Sequence, residues 1–143
     1  MNLSEFLNNN DRIDRIEIIS FQNTPPHYVA LIGICDRTIY VASDMYSLSD
    51  REEIGVLRFV TDYKKPKLAT VESFEGGCVS SLDYMMPPVS KSISGVRMKL
   101  DNGQLVITSG DLPCSLFVQY NGVKRGRSEF PINDYLHLAA VNV

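Results

Sequence analysis

The sequence predicts an α+β domain dominated by a twisted antiparallel sheet of about seven or eight strands, with one main helix near residues 49–61 and a short helical turn at the N-terminus. Three observations lead there. Short runs of β-branched and aromatic residues recur between turn residues. A hairpin signal is centred on Asp101-Asn102-Gly103, where alternating arms flank an Asn-Gly pair. A single strong helix start, Ser49 followed by Glu52, stands among the strand signals. Strands with few helices between them pair antiparallel, because parallel neighbours need crossovers of about a dozen residues. A β-sandwich or partly open barrel is the alternative arrangement.

The elements follow in chain order. Leu3 to Leu7 forms the amphipathic turn, and Asn8-Asn9-Asn10-Asp11 stops it, since these side chains compete for backbone hydrogen bonds. Arg15 to Phe21 reads as a strand ended by Thr24-Pro25-Pro26, because consecutive prolines remove ladder donors. Tyr28 to Cys35 and Thr38 to Ala42 form a pair around Asp36-Arg37. In the helix, Asp50, Glu52 and Glu53 complement the positive end of the dipole, with Ile54, Leu57 and Val60 facing the core. It ends before Lys64-Lys65-Pro66. Leu68 to Phe74 is a strand closed by Glu75-Gly76-Gly77, and Ser80 to Ser94, with Met85-Met86-Pro87-Pro88 inside it, reads as a crossing loop. The hairpin arms Val96 to Leu100 and Gln104 to Thr108 come next, then Cys114 to Tyr120, a turn at Asn121-Gly122, and a last strand over Tyr135 to Val143.

The chain has 143 residues, which suits one domain over 1–143 with a single core. Hydrophobic residues make up 44% and charged residues 22%, near the globular average. No apolar run approaches the roughly 20 residues of a spanning helix, and the first residues lack a basic and then apolar leader, so a cytoplasmic location is expected. The formal charge of −3 lacks the basic footprint of nucleic-acid binding. Cys35, Cys78 and Cys114 are odd in number and widely spaced, which argues for buried thiols in place of a disulfide framework.

Catalytic signatures are missing. There is no nucleophile elbow, phosphate loop, dinucleotide fingerprint or zinc helix. The scattered Cys and His residues give no metal-ligand spacing, so neither metal nor cofactor is expected. His27, after Pro25-Pro26, and His137, between Leu136 and Leu138, are the only side chains whose ordinary pKa suits acid–base work. A turn histidine and a strand histidine bonded to the backbone account for both. A Cys114–His137 pair lacks the cationic setting that a reactive thiol needs. Lys64-Lys65-Pro66-Lys67 and Lys124-Arg125-Gly126-Arg127 read as soluble turn tips.

The expected function is a non-catalytic protein-binding module with a partner of basic character. Its contacts would be Asp50, Glu52 and Glu53 with the loop residues Asp44 and Tyr46, the tyrosine anchoring the interface. One concrete form is a small inhibitor that neutralises a toxin or nuclease, in the manner of bacterial immunity proteins. The alternatives are a structural homo-oligomer, and a small ligand-binding protein or enzyme using His27 or His137.

Overall fold

β-Branched and aromatic side chains dominate the segments that form strands, and they pack best on a pleated surface buried on one side. A computed structural model describes residues 3–5, 7, 11–21, 24–34, 36–61 and 69–142, without the side chains of 5, 141 and 142. The strands are β1 (Arg12–Phe21), β2 (Pro26–Ile34), β3 (Arg37–Ser49), β4 (Glu52–Val60), β5 (Ala69–Met86), β6 (Gly95–Leu100), β7 (Gly103–Ser109), β8 (Leu116–Tyr120), β9 (Val123–Arg125) and β10 (Leu136–Asn142). Short 3₁₀ turns occupy Leu3–Glu5 and Ile132–Asp134. Every pairing is antiparallel, in the order β4-β3-β2-β1-β5-β6-β7-β8-β9, with β10 beside β5. The sheet does not close.

The expected α+β class is corrected: there is no α-helix among the described residues, and the main helix over 49–61 is absent. Ser49 and Glu52 face each other across a two-residue turn, and the chain continues as β4. The Ser49 hydroxyl accepts a long bond from the Arg51 N–H (3.4 Å), so its side chain serves a turn in place of a helix cap. β4 itself is rich in residues that prefer the pleat, and Gly55 in its middle would weaken a helix.

The 18-residue strand β5 organises the molecule. Ala69 to Cys78 pair with β1, whereas Val79 to Met85 pair with β6 and Ser81 to Met86 with β10. The expected strand end at Gly76-Gly77 and the crossing loop from Ser80 are therefore corrected. The glycines serve close backbone approach: a Cβ on Gly76 would lie 1.9 Å from the Ile13 carbonyl oxygen, and one on Gly77 would lie 2.3 Å from Asp101 Oδ1. The Asp101-Asn102 turn clamps this point. Asp101 Oδ1 accepts the Cys78 N–H (3.0 Å), and Asn102 Nδ2 donates to the Gly76 carbonyl.

The two halves of the sheet face each other across one core. Ile16, Ile18, Val29, Leu31, Ile39 and Val41 meet Val96, Met98, Leu105, Ile107, Leu116 and Val118 in a single buried cluster. Each such side chain contributes about 1.5–3 kcal/mol relative to exposure. The Tyr120 hydroxyl donates across the layers to the Glu75 carbonyl (2.7 Å). On the outer face of the second half, Met85, Val106, Phe117 and Tyr135 form a smaller cluster, with Phe130 and Ile132 packed on it.

β4 ends the sheet, and its edge is partly covered. Leu57 N–H donates to the Ile93 carbonyl (2.9 Å), the Ser94 hydroxyl donates to the Gly55 carbonyl (2.6 Å), and the Glu129 carboxylate accepts the Gly55 N–H (3.1 Å). Such covers occupy backbone groups that would otherwise invite another strand.

Candidate functional site

The β3–β4 hairpin carries all five residues expected to contact a partner. Its strands pair from Tyr40 opposite Val60 to Ser49 opposite Glu52, leaving Asp50 and Arg51 as the turn. Beyond the covered part of the β4 edge the ribbon runs out to a tip where Tyr46, Ser47, Asp50, Arg51, Glu52 and Glu53 are exposed. Tyr46 leaves 51% of its surface in solvent although Ile54 opposite it is buried. Asp44 stands apart from this group. It lies deeper on β3, where Arg58 neutralises it across the strands (Nε to Oδ2, 2.9 Å), a partner the sequence reading missed.

The tip is therefore a tyrosine among three carboxylates, Asp50, Glu52 and Glu53, with Arg51 as the opposing charge. An exposed aromatic ring and acids with no ion pair among the described residues add little to folding, yet they suit a docking surface.

Asp44 and Arg58 also wall a cleft of about 180 Å³ that Phe21, His27, Tyr28 and Cys114 complete. His27 stacks edge-on against Phe21 (4.7 Å between ring centres), and its Nδ1 is buried with no hydrogen-bond partner among the described residues. Cys114 is exposed, in a left-handed conformation (φ 58°) within the turn before β8. The expectation of buried thiols is thus corrected for Cys114, and Cys78 is only partly buried. Cys35 lies outside the described residues.

His137 lies far from Cys114 in the pairing pattern, opposite Met85 on β5, and it lines a different cleft with Arg97. Burial holds its pKa below the usual histidine value, the Arg97 guanidinium acts in the same direction, and Asp83 opposes them. In the basic run, Arg125 is committed to Glu72 through two bonds (2.7 and 2.8 Å), while Lys64-Lys65-Pro66-Lys67 lies outside the described residues. Among the described residues no group of three or more His, Cys, Asp or Glu side chains could hold a metal ion. No helix among them is long and apolar enough to cross a membrane, which says nothing of a β-barrel.

The sequence singles out His27 and His137, but not the side chains that gather around each of them to form the two clefts. Both gather residues from strands far apart in sequence, so local spacing carries no trace of them. Alternation did leave one signal, since Arg97 between Val96 and Met98 has to face away from the core. No family model matches the chain, and neither a curated protein nor a solved structure matches it.

Proposed function

We propose that the chain is a non-catalytic binding module that receives a basic protein partner on the tip of the β3–β4 hairpin. The observation that carries this reading is the gathering of Tyr46, Asp50, Glu52 and Glu53 on one exposed tip. Carboxylates there would speed encounter with a cationic surface, and the ring would supply buried contact area after docking. Inhibition of a basic toxin or nuclease is the narrower form of the same proposal. An acidic tip inserted into a cationic active site would block it without any chemistry of its own.

The test compares tagged forms of the full chain in parallel captures from the source cells. The parent chain and a Lys124→Glu control, altered on distant β9, should retain the same basic protein in stoichiometric amount. Tyr46→Ala and a Glu52→Lys/Glu53→Lys variant should lose it, and the parent's binding should weaken as salt rises. A retained protein indifferent to the hairpin variants, or none retained by the parent, overturns the proposal.

A further inference from the structure

A second site stands on the outer face of the other half of the sheet, and it is independent of the hairpin reading. Asp83, Arg97, Val106 and Gln119 form one row across β5, β6, β7 and β8. The Ile132–Asp134 turn and the start of β10 rise beside that row. Together they enclose a cleft of about 240 Å³ lined by the polar side chains of Arg97, Gln104, Gln119, Asn133 and His137. Met85, Val106 and Ile132 supply an apolar lining.

The chemistry of this lining is selective. Arg97 is already neutralised, with Nη2 and Nε both donating to Asp83 Oδ2 (2.6 and 3.2 Å), so the cleft offers an anion no free positive charge. Asp83 is not among the residues that line the cleft, and its charge is balanced by the same pair. Burial and Arg97, against Asp83, hold the pKa of His137 below the usual histidine value, which disfavours its charged form. Among the described residues the imidazole of His137 is the one aromatic ring in the lining, and no phenyl, phenol or indole ring is there to stack on a flat heterocycle. What remains are side-chain amides from Gln104, Gln119 and Asn133, the imidazole, and the Arg97 Nη1. None of these groups has a side-chain hydrogen bond to another described residue.

Each amide presents both donors and an acceptor, which is what a hydroxyl needs because it gives and takes a hydrogen bond at once. The apolar lining suits the C–H faces of the same molecule. At about 30 Å³ per water the volume equals roughly eight waters, room for a single small ring and too little for a chain of them. Convergent polar groups over a partly apolar lining are the usual form of a small-molecule site.

We propose that this cleft binds a small, uncharged, polyhydroxylated ligand the size of one sugar ring.

The test is a titration of isotope-labelled full-length protein with D-glucose, D-galactose, D-mannose, D-ribose and myo-inositol, followed by NMR. At least one should saturate with a dissociation constant of about millimolar, as expected for a dozen-atom ligand. The side-chain N–H signals of Gln104, Gln119, Asn133 and Arg97 should shift together. Gln104→Ala and Asn133→Ala alter exposed positions that folding does not need, and each should weaken the fit by about fivefold or more. Tyr46→Ala should leave it unchanged. Three results overturn the proposal: no saturable shift with any of the five, shifts indifferent to both variants, or acetate or inorganic phosphate binding more tightly than every neutral probe.

Discussion

At Gly76 the backbone leaves no room for a side chain, and the obstacle is itself backbone. An added Cβ would stand 1.9 Å from the Ile13 carbonyl oxygen, which no rotamer change can move, so Gly76→Ala has to part β1 from β5. A loss of about 3 kcal/mol or more is expected, the upper range for overpacking. Gly122 makes the comparison. Its φ is +84° with nothing within 4 Å of the added atom, so Gly122→Ala should cost only the left-handed conformation, about 1–2 kcal/mol. Urea unfolding of both variants separates lack of space from backbone conformation, and equal losses would refute the distinction. Glu129 is a second residue whose setting has a measurable sign. Burial raises its carboxyl pKa, and the bond from the Gly55 N–H only partly opposes this. The native state then holds the proton more tightly than the unfolded chain. The stability this contributes is complete below the ordinary glutamate value and is lost as pH rises through the raised one. Glu129→Gln keeps an oxygen for the Gly55 N–H and carries no charge, so its stability relative to the parent should improve between pH 4 and pH 7. Thermal unfolding at the two values checks this, and a relative loss at pH 7 would count against it.

At the scale of elements, a strand pair and a helix start compete for the same residues at Ser49 to Val60. Ser-x-x-Glu is a capping box only if the chain coils afterwards; the same hydroxyl can serve a tight turn, and local sequence does not distinguish the two. Tertiary contact decides. Gly55 lies so close to Ser109 and Ser43 that a Cβ there would meet Ser109 Cβ at 2.4 Å, a packing that only the strand provides. The Asn-Gly pairs teach a related lesson. Asn121-Gly122 does supply two positive φ values (49° and 84°) for the β8–β9 turn. At the earlier hairpin Gly103 already pairs with Leu100, so the turn is Asp101-Asn102, whose side chains are needed at the β5 bend. The alternating arms were legible because they depend on neighbours in sequence; the continuity of β5 through two glycines was not, because it depends on β1 and on a turn some 25 residues away. The candidate site divides along the same line. Asp50, Glu52 and Glu53 stand out by adjacency, whereas the partnership of Asp44 with Arg58 needed the strand register. The hairpin also separates docking from folding within one element. Tyr46→Ala, at the exposed tip, should change stability by no more than about 0.5 kcal/mol. Leu57→Ala, on β4 in the core, should cost about 2–5 kcal/mol. Denaturant midpoints decide, and a large loss at Tyr46 would make the tip structural.

For the molecule as a whole, an open sheet folded over at one strand needs something to hold its halves together away from the fold line. The shared core does most of this, and polar contacts between the halves complete it. Gly55 bonds to Glu129 and Ser94, Ser43 bonds to Ser109 (3.2 Å), and Arg125 on β9 reaches Glu72 on the first part of β5 with two parallel bonds. Only the last of these is an ion pair, and it lies in solvent where salt can screen it. The hydrogen bond from Arg125 lowers the Glu72 pKa, and slight burial opposes it. A carboxylate lowered in the folded state contributes stability that is present above its unfolded value and is lost as pH falls through the folded one. Arg125→Ala should therefore be less stable than the parent at neutral pH and low salt, and the gap should close in two independent ways. Acid should close it as Glu72 takes up a proton, and about 1 M salt should close it at constant pH by shortening the screening length to about 3 Å. Paired thermal melts across both variables provide the measurement. A gap that survives acid and salt alike would mean that the arginine contributes through packing of its stem, and that the ion pair does not help to hold the two halves of the sheet together.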